Sequence, residues 1–229
     1  MVVGSGLIAS TFAARAHACD GVCFHAAGVS NSLCCDLREF ARDRERLRAS
    51  IDVVAADVLF VYFSTCSIED PTVRDNAYAR HKRELENLVR EHDGHLILRL
   101  PQLAGRTPNP HTLLNYLHAR IVRSERFELW SGASRNILDV EDVAQIALDL
   151  IRCENVRNET INIANLRSST MEEIVIELEH LTRRSAIYDS VDKGTRYEID
   201  VTRIADSIRR CGVVFDNGYL SRTLAKYYE

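Results

Sequence analysis

"DVLFVYFST", residues 57–65, decides the fold. From Val58 to Phe63 every side chain is apolar, and the run closes on two hydroxyls, Ser64 and Thr65. A half-exposed strand would alternate polar with apolar. An unbroken run of branched aliphatic and aromatic residues reads instead as a strand covered on both sides, the kind found in the middle of a parallel sheet. Parallel strands need long crossovers, usually helical, so helices are expected on either side of it in the sequence.

They are there. Upstream, "LREFARDRERLR" (37–48) carries Leu37, Phe40 and Leu47 among dense charges, an amphipathic helix with a solvated face. Before it, "GVCFHAAG" (21–28) reads as a buried strand running into a loop, and "MVVGSGLIASTFAARAHAC" as a short strand, a glycine turn and a helix with Ile8, Phe12 and Ala16 at four-residue spacing. Downstream, Asp75 is placed to cap a helix over 76–92, and "HLILRLP" is a strand stopped by Pro101. A loop at "TPNPH", a helix over 112–126, a strand at "FELW", a helix at "DVEDVAQIALDLI" and a strand at "ETINIAN" follow. A helix opened by a Ser/Thr cap, with Glu173 three residues after Thr170, closes the series; the last forty residues carry no clear pattern. Strands alternating with helices define an α/β chain with a doubly wound parallel sheet, whose ligands sit at the carboxyl ends of the strands.

A chain of 229 residues, 46% hydrophobic and 27% charged, can close one buried core with a small appended lobe and needs no metal to fold. A net charge of −4 and a pI near 6.1 give no electrostatic reason to bind nucleic acid or an anionic membrane, which points to small-molecule partners. The longest apolar run is far too short to cross a bilayer and no leader pattern opens the chain, so a cytoplasmic location is expected. The seven cysteines include no CxxC pair and read as reduced thiols. No metal site is expected.

Two strand ends carry chemistry. At the first, "GSGLIA" (4–9) sets Gly4, Gly6 and Ala9 at the G-x-G-x-x-G/A spacing that lets a backbone approach a diphosphate at a helix N-terminus; a plain glycine turn is the competing reading. The acidic residue that should follow about twenty positions later, to hold an adenosine ribose, is absent: "AAGVSNS" stands there. Beyond the central strand, "YARHK" (78–82) puts Tyr78 and Lys82 on one helix face with Leu85 and Val89. Eight tyrosines and three lysines give roughly 0.1 chance YxxxK matches, and with 26 arginines against three lysines a mere surface charge would more often be arginine. A phenol is a poor base at neutral pH, and an ammonium beside it favours the phenolate. Its partner would be a strand-end hydroxyl, Ser64 or Thr65, with Cys66 and Ser67 as fallbacks. A lysine stem snorkelling from an apolar stripe is the structural alternative. His25, in an apolar strand, reads as a satisfied core histidine, and Asp139 and Asp142 as charges at a helix start.

In order, "VVGSGLIA", "HAAG", "VYFSTCS", YxxxK, "LRLPQLAGRTPNP", "RNILDVEDVA" and "TINIAN" resemble the extended short-chain dehydrogenases/reductases, specifically the NAD-dependent epimerase/dehydratase group acting on nucleotide sugars, with "FST" closest in type to dTDP-4-dehydrorhamnose reductases. The resemblance spans roughly residues 1–165. It implies a Rossmann-like NAD(P)-binding core over 1–165 and a small C-terminal substrate-binding subdomain over 166–229. It implies NAD or NADP as cofactor, a nucleotide sugar as substrate, and surface-polysaccharide biosynthesis as setting. By the same likeness Thr65 or Ser64 with Tyr78 binds the reacting oxygen, Tyr78 transfers the proton and Lys82 holds the nicotinamide ribose. Gly4, Ser5, Gly6, Leu7, Ile8, Ala27, Gly28, Lys82, Leu100, Pro101 and Leu103 would line the cofactor, and Asn31, Ser32, Asn115 and Arg135 the substrate, although Arg135 also reads as an ordinary ion-pair residue.

The sequence departs from the family in three ways. "HAAG" matches the end of the family's fourth strand yet follows the first helix directly, which implies a shortened sheet without the second and third strands. Thirteen residues separate Thr65 from Tyr78, a short loop for the family. Val3 and Ala9 replace the outer glycines of its GxxGxxG turn. The resemblance also implies a homodimer through the segments 37–50 and 76–92, although the first is dense in Arg and Asp. The competing reading of the whole is a non-catalytic nucleotide or nucleotide-sugar binding module, associated with another enzyme.

Overall fold

The computed structural model describes residues 1–15 and 19–229; the expected helical position Ala16 lies outside them. In chain order the elements are β1 (Val2–Val3), α1 (Leu7–Ala13), β2 (Val22–His25), α2 (Leu37–Val53), β3 (Leu59–Thr65), α3 (Ala77–Val89), β4 (His95–Leu100) and β5 (Gln102–Ala104). Then come α4 (Leu113–Val122), β6 (Phe127–Trp130), β7 (Ser134–Arg135), β8 (Ile137–Asp139), α5 (Val140–Cys153), β9 (Glu159–Asn162), β10 (Ser169–Thr170), α6 (Met171–Thr182), β11 (Tyr188–Val191), α7 (Ala205–Cys211) and α8 (Tyr219–Tyr228).

The main sheet has five strands in the order β1-β2-β3-β4-β9, all parallel. β3, the apolar run, is its middle strand and every residue of it is buried. Side-chain alternation sorts the core into two layers. Val22, Phe24, Leu59, Val61, Phe63, Leu96 and Leu98 face Phe12 of α1 and the apolar stripe of α5. Cys23, Phe60, Tyr62 and Ile97 face Leu47 of α2 and Leu85, Leu88 and Val89 of α3. Helices therefore cover both faces, as the sequence predicts.

The strand order advances one place at each step in a single direction, yet α1 and α5 lie on one face while α2 and α3 lie on the other. Crossovers that advance in one direction on opposite faces have opposite hands. Two of the four therefore run against the hand that βαβ units almost always adopt. A full doubly wound sheet avoids this at the first helix by sending the chain outward through two more strands before it crosses back. Without those strands α1 keeps its face but leads straight to β2, and β1 becomes the sheet edge.

Three helices differ from expectation at their ends, and the one expected over 112–126 stops at Val122. Asn76, not Asp75, caps α3: its Oδ1 accepts from the Ala79 N–H at 2.7 Å, and the helix ends at Val89. The helix expected over 37–48 continues to Val53. The Thr170–Glu173 capping box closes in both directions at the start of α6. The unassigned C-terminal residues form α7 and α8. They share out between the cores: Ile204, Ile208 and Tyr219 join the α1/α5 layer, while Leu224 joins a second cluster with α4, α6, Phe127 and Leu129.

Candidate active site

Successive side chains of a strand point to opposite faces, and this separates the two hydroxyls that end β3. Ser64 turns under α3 and donates to Glu86 Oε1 at 2.7 Å. Thr65 accepts from the Ser67 N–H at 3.1 Å and hydrogen-bonds the Tyr78 side chain. Of the two candidates, Thr65 is the one that meets the phenol. Cys66 is fully buried and its thiol is pushed up by that burial, which leaves it inert.

Tyr78 and Lys82 sit one turn apart on α3 and both are buried. The Lys82 ammonium lies 5.9 Å from the centre of the Tyr78 ring but donates its hydrogen bond to Tyr62 Oη, at 3.1 Å. Burial and the Asp43 carboxylate hold the Tyr78 phenol well above its ordinary range, and the Thr65 hydrogen bond works against them. Lys82 is pulled down by burial and supported by Asp43 and Glu86. The phenol is therefore held up, not lowered as the YxxxK spacing predicts. Tyr78 is a protonated donor in this arrangement.

Below the pair, Glu86 accepts from Ser64, from Arg99 Nε at 2.9 Å and Nη2 at 2.8 Å, and from Arg90 at 3.0 Å. Burial pushes this carboxyl up, but those bonds outweigh it and hold it below the usual range. The network fixes α3 against β3 and β4.

The glycine turn packs differently from a simple cradle. Gly4 has φ +127, and a Cβ there would stand 2.7 Å from the Ala26 backbone and 2.8 Å from the Ala27 nitrogen, so this glycine is required by the neighbouring strand end. Gly6, at the N-terminus of α1, has none of the described residues within 4 Å of such a Cβ and faces open space among them. Ser5 is exposed, Ile8 packs on the core, and Leu7 lies against Gly105, where a Cβ would meet it at 2.6 Å. Leu100, the last residue of β4, is buried; beyond it Pro101 is half-buried and Leu103 packs against the core. Half-buried Ala27 leads into Gly28, which has φ +142 and presses on Asp43.

The expected substrate residues scatter into structural roles. Asn31 makes a turn, accepting from the Leu33 N–H at 3.0 Å, and the Ser32 carbonyl accepts from Asn76 Nδ2 at 3.2 Å. Asn115 is fully engaged: it donates to the Thr107 and Asn109 carbonyls and accepts from the Tyr228 hydroxyl at 2.7 Å. Arg135 donates to the Ser134 carbonyl at 2.7 Å and lies 3.9 Å from buried Asp70. The irregular strap after β11 brings Tyr197 there too; burial raises its phenol, and Cys66, Asp70 and Arg135 act on it. Asp139 caps α5 as expected and also holds Lys226 at 2.7 Å, while Asp142 accepts from Tyr219 at 2.6 Å. A cavity of about 310 Å³ adjoins these last pairs, between α5 and α8, and none of the expected cofactor or substrate residues lines it.

Several site residues escaped the sequence reading. Asp43 was counted with a solvated face, yet it is 3% exposed; its place between Phe40 and Leu47 on the apolar stripe was the signal. His81 stacks on Phe40 at 4.4 Å and binds Asp43. Tyr62 sits inside the apolar run, where a buried hydroxyl must find a partner. His25 is a core residue, but not a satisfied one: it has no exposure, and among the described residues neither ring nitrogen has a partner.

The chain matches the NAD dependent epimerase/dehydratase family over residues 49–164, a span that holds Tyr78, Lys82, Arg99 and Arg135 and begins beyond the glycine turn. No curated protein matches it. Among solved structures, UDP-glucuronic acid 4-epimerase from Bacillus cereus, in complex with UDP-glucuronic acid and NAD, superposes with a TM-score of 0.71 at 17% identity, over 91% of this chain and 74% of that one. dTDP-glucose 4,6-dehydratase from Bacillus anthracis in complex with NAD gives 0.71 at 13% identity, over 98% and 77%. RMD from Pseudomonas aeruginosa complexed with NADPH gives 0.69 at 17%, over 90% and 79%. At these identities the likeness is one of fold.

Proposed function

The chain belongs to the NAD dependent epimerase/dehydratase family of extended short-chain dehydrogenases/reductases, and on that premise we propose that it is an NAD(P)-dependent oxidoreductase or epimerase acting on a nucleotide sugar. Surface-polysaccharide biosynthesis in the cytoplasm is the setting we infer for it, with residues 166–229 contributing to the substrate side. One observation carries the reading: Thr65, Tyr78 and Lys82 come together where β3 ends and α3 begins.

The open space before Gly6 and the buried Lys82 suit the diphosphate and nicotinamide ends of a dinucleotide. The adenosine end is less well provided for, with β1 at the sheet edge and no carboxylate after β2. When bound, the nicotinamide supplies hydride transfer. The chain's own residues do the rest. Thr65 and Tyr78 present two hydroxyls to one sugar oxygen. Tyr78 Oη gives its proton to that oxygen as a carbonyl becomes an alcohol, and takes it back in the reverse direction. Lys82, one turn along, brings positive charge and donors to the ribose side.

The shortened sheet edge favours a second reading, a nucleotide-sugar binding module without turnover. Fluorescence titration with NADH and NADPH separates the two. Binding by wild type that is lost in Lys82→Ala supports the enzyme, and Tyr78→Phe should then abolish turnover with little change in affinity. No binding of either dinucleotide to the wild type sinks the enzyme reading.

A further inference from the structure

β3 supplies more than Thr65 to the pair on α3. By strand alternation Tyr62 faces α2 and α3, as Phe60 and Ser64 do, and it is fully buried. Its hydroxyl accepts from Lys82 Nζ at 3.1 Å, and the same nitrogen lies 5.2 Å from the centre of the Tyr62 ring and 5.9 Å from that of Tyr78. The ammonium is lodged between two phenol rings, with the hydroxyl of one as its acceptor. Lys82 is only 4% exposed, so that acceptor stands where water would otherwise solvate the charge. A phenylalanine would fill the same place in an apolar strand; it would not supply the oxygen.

We propose that Tyr62 is a positioning residue for Lys82: its hydroxyl, carried on the middle strand, engages one of the three ammonium donors and leaves the other two for the paired hydroxyls of a ribose. That a dinucleotide brings this ribose rests on the function proposed above; the hold on the ammonium does not. Tyr62 stands three residues before Thr65 on β3, and Tyr78 one helical turn before Lys82 on α3. The middle strand therefore meets both side chains of the pair, the phenol at its last residue and the ammonium deeper in the sheet. A YxxxK match does not contain the second contact, which joins two elements across 20 residues of sequence.

With only three lysines in the chain, ¹³Cε-lysine NMR reads Lys82 directly, assigned by its loss in Lys82→Met. Tyr62→Phe removes the acceptor and keeps the ring. The Asp43 and Glu86 carboxylates also support the ammonium, by charge, and are unchanged in this variant. The Lys82 titration midpoint is expected to fall by roughly one pH unit, with those of Lys193 and Lys226 unmoved. An unmoved Lys82 midpoint overturns the proposal. Should Tyr62→Phe not fold, Tyr62→Phe/Lys82→Met decides: recovery of folding supports the contact, and failure of the double variant gives the Tyr62 hydroxyl another role and overturns it. NADH titration reads the ribose side. Where wild type binds NADH, Tyr62→Phe should bind it about tenfold more weakly. Equal or tighter binding would show that the phenol holds the ammonium away from the ribose, and overturns the positioning role. The lysine titration needs no cofactor, so an absence of NADH binding by wild type would sink the proposed function and leave that test standing.

Discussion

Lys82 gives its hydrogen bond to Tyr62, not to Tyr78: Nζ lies 3.1 Å from the Tyr62 hydroxyl. Tyr62 is fully buried in the middle strand, and burial with the nearby carboxylates keeps its phenol far above the ordinary range. It is a neutral acceptor fixed by the sheet. Tyr62→Phe removes one oxygen and leaves the ring, so the packing stays while the buried ammonium loses its acceptor. A loss of about 1–3 kcal/mol in urea unfolding at neutral pH is expected. Lys82→Met in the same background should restore much of it, because the group left unsatisfied is then gone.

Glu86 tests whether α3 is held by the network under it. Its side chain is 1% exposed and meets Arg99, Arg90 and Ser64. Glu86→Gln leaves Arg99 without its buried counter-charge, and a cost of about 2–4 kcal/mol is expected. The pH dependence has a definite sign. This carboxyl is held below its ordinary 4.5 in the folded protein, so its contribution is complete above that value and is lost as pH falls through the lower folded value. Wild type should therefore weaken in acid below about pH 4.5 more steeply than Glu86→Gln.

The middle strand, its flanking helices and the Tyr78–Lys82 spacing were legible because each depends on a local period or a single run. The cap of α3 was misread by one residue, since Asp75 and Asn76 are both capping types and only the tertiary fit selects Asn76. The two crossovers of unusual hand were not legible: strand order is a matter of which segments meet, and no local pattern states it. The choice between Ser64 and Thr65 turned on strand alternation against Glu86, itself 22 residues further on. Asp43, His81 and Tyr197 reach the site from separate elements. Asp43 alone left a local trace, a carboxylate on the Phe40–Leu47 stripe.

His25 is the second place where acid should act. Burial pulls its imidazole down to about 4, with Asp43 working against the shift and Lys82 and Arg46 adding to it. The unfolded chain takes up this proton near the ordinary 6.5, so stability is complete above that pH and falls as pH drops from 6.5 toward 4, by at most about 3 kcal/mol. His25 packs by Phe60 and Tyr62, with ring centres 5.8 and 6.2 Å away, so a phenyl ring suits the site. His25→Phe should gain about 1 kcal/mol at pH 7 by removing two unpaired nitrogens, and should flatten unfolding free energies measured between pH 6.5 and 4. An unchanged pH profile would mean that another group carries the acid sensitivity.

The two glycines of the first turn separate folding from binding. Gly4 has φ +127 and its hydrogen stands where a Cβ would strike the Ala26 carbonyl at 2.7 Å. Gly4→Ala must both enter a strained backbone region and push apart the ends of β1 and β2. A stability loss above about 2 kcal/mol is expected in thermal or urea unfolding, with any ligand effect secondary to it. Gly6 has φ −81, an ordinary value, and open space around the new methyl group. Gly6→Ala should cost less than about 1 kcal/mol, the usual range for an alanine at a helix N-cap. If a dinucleotide diphosphate occupies that space, the methyl group enters its volume and NADH affinity should fall at least about tenfold, equivalent to 1.4 kcal/mol, in a protein that remains folded. Equal NADH affinity for Gly6→Ala and wild type would show that the ligand does not approach this turn, leaving Gly4 as a residue of strand packing alone.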